Sequence, residues 1–433
     1  MWFPNSASGD KVVYFAPQYD ENGLPDFESV KAVFAKVEAL IAEGSAKAVW
    51  SISGGGIAEG VTKMCLGNRL GFKFDKPMTD EELFTPVRGA FLVEVDRALQ
   101  TDGETIGAVN DKYEIVCGDL SLSMNELQKL WEDKLEPVYP CNIKTRGDRP
   151  NTYVNVCKEH RSAAIGIAKP RVLIPVFPGT NCEYDTAKAF ENAGARAEIF
   201  VIRNLTPHDI EESAAEMARR IGNSQIVMIP GGFSGGDEPD GSGKFITSFF
   251  RNPAIRDSVH TLLGKRDGLM LGICNGFQAL IKLGLVPYGE IRDAEENSPT
   301  LTFNTIDRHQ SMMVRTRVAS NMSPWLAQCE VGDIHTVAIS HGEGRFVADQ
   351  ALIKRPAENG QIATQYVDTL GHPTFDIRFN PNTSFDAIEG ITSPDGRVFG
   401  KMAHPNASAT TFAKTSAARR IRRSSAPALL TTK

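Results

Sequence analysis

A cysteine stands in the run LGICNGFQAL (271–280) among residues that suit a nucleophile. The apolar residues ahead of it predict a strand ending at Gly272. Cys274 follows, then Asn275 and Gly276, then a helical pattern that includes Gln278. Small glycines on both sides permit the tight strand-to-helix turn that pushes a side chain toward a substrate. A sulfur beside a helix N-terminus is biased toward thiolate, the form that attacks an acyl carbon. A lone cysteine is more often a buried packing residue, but the G-x-C-x-G-x-Q spacing argues for chemistry.

An acyl-transfer site also needs an oxyanion hole and a base. PGGFSGGD (230–237) closes another apolar run, so backbone N–H groups around Gly232 and Phe233, with that of Asn275, can line such a hole. Two of the eight histidines end strand-like segments. His404 lies in DGRVFGKMAHP (395–405), and His341 lies in SHGEGRF (340–346) beside Glu343. Position alone does not choose between them as the base.

The elements that must hold these residues read as follows. RVLIPVF (171–177), SQIVMIP (224–230) and DGLMLGI (267–273) are continuous apolar runs, as expected of strands buried on both faces. With AEIFVI (197–202) and the intervening helical patterns they predict a mainly parallel α/β sheet. Chemistry in such a sheet lies beyond the carboxyl ends of its strands. PGTNCE (178–183) reads as a turn there. Upstream, KVVYF (11–15), KAVWSIS (47–53), RGAFLVEVD (88–96) and KYEIVCG (112–118) predict strands of a separate α+β unit. Asp26 caps a helix whose apolar positions run from Phe27 to Ile41, and a second helix runs from Ile57 to Leu66. The turn Gly54, Gly55, Gly56 before that helix is a possible phosphate cradle.

With 433 residues, two or three domains are expected. The net charge of −6 argues against nucleic acid as a partner. No apolar run approaches a membrane span. Seven cysteines, none in a C-x-x-C pair, fit a reduced, cytoplasmic chain better than a disulfide framework or a zinc knuckle, and no metal site is expected.

Taken together, GICNGFQ, PGGFSGGD, SHGEGRF and GRVFGKMAHP resemble the class I glutamine amidotransferase domain of the phosphoribosylformylglycinamidine synthase family. That resemblance implies Cys274 as nucleophile and His404 as base, releasing ammonia from glutamine through a cysteinyl thioester. SHGEGRF, with His341 and Glu343, then becomes a substrate-side or interface loop. NPNTS (380–384) is similar to the family's N-P-N-G-S segment, with Thr383 in place of glycine. SGGGIAEGVTKMCLGNRLGF (53–72) and its surroundings resemble the C-terminal lobe that the family's synthetase shares with aminoimidazole ribonucleotide synthetase. The implied division is a synthetase C-terminal lobe over 1–165, incomplete at its start, and an amidotransferase domain over 170–404. The implied reaction is ATP- and Mg2+-dependent amidation of formylglycinamide ribonucleotide in purine biosynthesis. The nucleotide site is expected on synthetase lobes missing from this chain, which are its implied partner.

One position departs from the family. After His-Pro the family has glutamate, whereas Asn406 stands here. An amide can hold a histidine tautomer but cannot stabilise imidazolium as a carboxylate does. The residues that follow, 405–433, contain no acidic side chain and read as an aberrant, disordered tail. Loss of one C from CAC CCC GAA CGC would turn His-Pro-Glu-Arg into the observed His-Pro-Asn-Ala. The alternative reading is therefore a catalytically impaired fragment acting as an interaction module.

Overall fold

The computed structural model describes residues 7–67, 69–141, 143, 148–158, 166–236 and 242–404. They fall into two compact units, Met1–Cys141 and Asn142–Lys433. Among the described residues no helix is long and apolar enough to cross a membrane.

The first unit is built on seven strands: β1 (Lys11–Phe15), β2 (Ala46–Ser51), β3 (Gly71–Phe74), β4 (Phe91–Val95), β5 (Glu104–Asn110), β6 (Glu114–Cys117) and β7 (Leu120–Ser123). Their order is β2-β4-β1-β5-β3-β6-β7, antiparallel except for β3 beside β6. Alternating side chains divide between the two faces, as the strand period of two requires. Val13, Phe15, Val93 and Val95 pack with Val33 and Val37 of the helix Phe27–Ala42. Val12 and Leu92 face the opposite way, onto Ile57, Val61 and Met64 of the helix Gly56–Leu66. Asp26 caps the first of these helices by accepting the Ser29 N–H at 2.8 Å.

The second unit carries β8 (Arg171–Val176), β9 (Arg196–Val201), β10 (Ile226–Ile229), β11 (Leu269–Ile273), β12 (Thr300–Thr302), β13 (Gln310–Val318), β14 (Ile334–His341), β15 (Arg345–Val347), β16 (Ile362–Val367), β17 (Ile388–Thr392) and β18 (Val398–Lys401). Nine of them form one sheet, β14-β13-β16-β17-β18-β11-β10-β8-β9. The expectation of a mainly parallel sheet holds for only half of it. β9, β8, β10, β11 and β18 are parallel, and β18, β17, β16, β13 and β14 are antiparallel. The antiparallel strands carry alternating or polar residues and Gly390, so they lack the unbroken apolar runs that betrayed β8, β10 and β11. This half also curls: the far strand β14 returns to the end of β18, where the His404 N–H donates to Ala338 O at 2.8 Å. Val314, Val337, Ile339, Tyr366, Ala387 and Ala403 fill the inside of the curl.

Residues 148–158, read from sequence with the first unit, belong to the second. The Asn151 amide donates to Asp386 Oδ2 at 2.9 Å, Tyr153 Oη donates to the same oxygen at 2.6 Å, and the Cys157 N–H donates to Asn321 Oδ1 at 2.8 Å. Such bonds hold an extended segment that has no hydrophobic period of its own. The tail expected over 405–433, with Asn406, lies outside the described residues.

Candidate active site

The site lies where four strand ends of the parallel half meet, those of β8, β10, β11 and β18. Strand β11 ends at Ile273 and the helix Asn275–Lys282 begins at once, leaving Cys274 alone in the turn with φ 51° and ψ −105°. A non-glycine residue held there stores on the order of 1–3 kcal/mol of strain. The turn is over-determined by its neighbours. The Cys274 N–H donates to Lys401 O at 2.9 Å, and its carbonyl accepts the Gln278 N–H at 3.0 Å. Gly276 has no room for a side chain, because a Cβ there would sit 2.0 Å from Ile229 O. The buried Cys274 thiol donates to Ser340 O at 3.8 Å, at the end of β14.

The loop after β10 is zipped to the loop after β8. The Phe233 N–H donates to Gly179 O at 2.8 Å, and Thr180 bridges Gly232. Of the two donors read from PGGFSGGD, Phe233 is therefore already committed, while its ring is half-exposed. Gly232 sits at φ 142° with Gly179 O 2.6 Å from where a Cβ would be, so only glycine fits this approach. Asn275 and Gln278 act as struts. Asn275 Oδ1 accepts the Ser234 N–H at 3.2 Å, and its amide donates to Gln278 Oε1 at 3.0 Å. Gln278 Nε2 donates to Glu343 O at 2.5 Å, which ties the helix after Cys274 to the SHGEGRF loop.

Both histidines reach this region. His404 stands over Gly231, where a Cβ would lie 2.6 Å from His404 Cε1, 3.4 Å from Cys182 Sγ and 3.5 Å from Cys274 Cβ. Burial first, and the Lys401 charge second, hold the His404 pKa down to about 4. His341 is fully buried against Gly344, and among the described residues neither of its ring nitrogens has a hydrogen-bond partner. Burial pushes its pKa down to about 3, helped by the neighbouring His404 and His309. The Glu343 carboxylate accepts the Ser242 N–H at 2.9 Å through Oε2.

Sequence reasoning missed Cys182, Gly231 and Ser340. The first closes PGTNCE at a parallel-strand end, which was the available signal. Ser340 arrives only through the curl of the sheet.

The Gly54–Gly56 turn of the first unit does not stand open to a phosphate. The Gly55 N–H donates to Glu59 Oε2 at 2.8 Å, and Ser53 Oγ donates to the same oxygen at 2.7 Å. Hydrogen bonds from Lys63, Ser53 and Gly55 lower the Glu59 pKa to about 2. The helix N-terminus has thus recruited its own anion.

A cysteine thus sits on a strained strand-to-helix turn of an α/β domain, with an imidazole at the next strand end. Comparison with known proteins makes the class specific. The CobB/CobQ-like glutamine amidotransferase domain matches residues 169–429, continuing past His404 into the segment set apart as a tail. The PurQ subunit of phosphoribosylformylglycinamidine synthase from Methanococcus maripaludis is 35% identical over 240 residues, 55% of this chain and 82% of the relative. The PurQ subunit from Aquifex aeolicus is 32% identical over 232 residues, 53% of this chain and 87% of the relative. Among solved structures, PurLQS from Thermotoga maritima is similar with a TM-score of 0.41 and 23% identity, covering 59% of this chain and 97% of that one. The chain belongs to the CobB/CobQ-like glutamine amidotransferases and carries an amidotransferase domain of the phosphoribosylformylglycinamidine synthase type.

Proposed function

We propose that the second unit hydrolyses glutamine through a cysteinyl thioester and supplies the ammonia for amidation of formylglycinamide ribonucleotide. The observation that carries this reading is the meeting of Cys274 Cβ and His404 Cε1 beside Gly231, 3.5 and 2.6 Å from the position of its absent Cβ. Cys274 attacks the side-chain amide carbon of glutamine. Its proton passes to His404 and on to the leaving nitrogen, ammonia departs, and water then releases glutamate from the thioester. With its pKa near 4, His404 is unprotonated at neutral pH and has a lone pair for that proton. The N–H groups of Gly232 and Asn275 are assigned to the oxyanion. Gln278 holds the nucleophile helix, and His341 and Glu343 form the wall opposite.

The first unit is assigned as the synthetase C-terminal lobe on the likeness of residues 53–72, and further synthetase lobes are the partner. Glu59 occupies the one turn read as a phosphate cradle, so no step through ATP or magnesium is assigned to this chain. All seven cysteines are free thiols, which fits a reducing, cytoplasmic setting. Asn406 favours a second reading, an impaired module retained for binding a partner.

The test is ammonia release from glutamine by the purified chain, together with labelling by a glutamine-mimicking diazoketone. Label on Cys274 and loss of ammonia in Cys274→Ala are expected. Label on Cys182 or Cys329, or the absence of any hydrolysis, would favour the second reading.

A further inference from the structure

Cys182 has no part in the chemistry above, yet it faces the base. It precedes the helix Glu183–Asn192 at the end of the β8 loop, and its Sγ lies 4.0 Å from His404 Nδ1. Its own S–H donates to Asn181 Oδ1 at 3.2 Å. Among the described residues no other side chain is hydrogen-bonded to His404 Nδ1.

A neutral imidazole carries one N–H and one lone pair, and the partner of one nitrogen decides which the other presents. With the Cys182 hydrogen committed to Asn181, its sulfur is left as an acceptor. We infer that Cys182 is a positioning residue, whose sulfur accepts the His404 Nδ1–H and so leaves Nε2 as the lone-pair nitrogen that serves the nucleophile. The chain Nδ1–H to Sγ, then S–H to Asn181 Oδ1, fixes the tautomer and the ring plane together. When the Cys274 proton moves to Nε2, the Nδ1–H stays on Cys182 and the imidazolium returns the Nε2 proton to the departing ammonia. Burial, with Asp185 and Glu183, raises the Cys182 pKa, so this partner stays a neutral thiol. It orients the ring without stabilising the imidazolium, a weaker device than a carboxylate.

What the tautomer is for rests on the glutaminase reading, but the tautomer is measurable without glutamine. In the full chain with 15N-labelled histidine, long-range 1H–15N correlations at neutral pH report it, and His404→Gln assigns the signals. The wild type is expected to show Nδ1–H. Cys182→Ala is expected to move the population toward Nε2–H and to slow diazoketone labelling of Cys274 by at least about tenfold. Cys182→Ser, which keeps an acceptor, is expected to restore both, and Cys182→Val reproduces the alanine result at nearer native volume. An Nε2–H wild type, or a tautomer unmoved by Cys182→Ala but moved by Asn406→Ala, overturns the inference. Failure of Cys274 to label in a wild type with the Nδ1–H tautomer would instead overturn the glutaminase reading and leave the tautomer assignment standing.

Discussion

The Cys274 thiol donates to the carbonyl oxygen of Ser340 at 3.8 Å, although Cys274 follows β11 in the parallel half of the sheet and Ser340 lies in β14 at the far edge of the antiparallel half. The contact exists because β14 curls back onto the end of β18. It places Cys274 under the SHGEGRF loop rather than in open solvent.

Gly231→Ala should separate structure from activity. Its Cβ would come within 2.6 Å of His404 Cε1, and the backbone there does not require glycine. His404 must give way. A misplacement of that kind costs on the order of 10²-fold in rate. Ammonia release should fall accordingly while the thermal midpoint changes little.

Cys274→Ala and Cys274→Gly should both be inactive but unequal in stability. At φ 51° an alanine keeps the strain and a glycine relieves it. The glycine variant should be the more stable by roughly 1 kcal/mol, read from urea midpoints.

Thr383→Gly should stabilise the domain. Thr383 lies at φ 58°, in the left-handed region, which a β-branched residue enters at a cost. Removing the side chain should gain roughly 1 kcal/mol despite the loss of its hydroxyl contacts. An unchanged or lower midpoint would mean that the bond from Thr383 Oγ1 to Asn382 O, 2.7 Å long, outweighs the strain.

His341→Phe should reduce acid sensitivity. The unfolded side chain titrates at its ordinary 6.5 and the folded one at about 3. Between those values the unfolded chain holds the extra proton. Stability is therefore complete above 6.5 and is lost as pH falls toward 3. The phenylalanine variant should lack that proton's share of the slope, about 1.4 kcal/mol per pH unit. It should also keep far more labelling of Cys274 than His404→Ala does.

Asn406→Glu should raise the turnover of glutamine if the missing carboxylate limits catalysis. A rate unchanged from the wild type would shift the blame to the whole segment after His404.

Local chemistry made much of this protein legible from its sequence. Apolar runs identified β8, β10 and β11, because strands buried on both faces need them. The glycines around Cys274 announced a turn too tight for side chains, and the comparisons placed the domain in the class that those motifs suggested. At the GGG run the structure adds a contact that residue types alone do not give. A helix N-terminus satisfies its N–H groups with whatever anion is nearest, and the sequence does not say that Glu59, one turn on, will be that anion.

What the sequence determined by itself was which residues can do chemistry and which strands carry them, since residue type and period are local properties. The tertiary structure decided which of them meet. The curl of β14 onto β18 brings Ser340 to Cys274, and the pairing of the β8 and β10 loops commits the Phe233 N–H to Gly179. Cys182 in the β8 loop and His404 after β18 both stand over the bare Cα of Gly231. Cys274 and Ser340 are 66 positions apart and Cys182 and His404 are 222, and at such separations only the register and twist of the sheet fix distance.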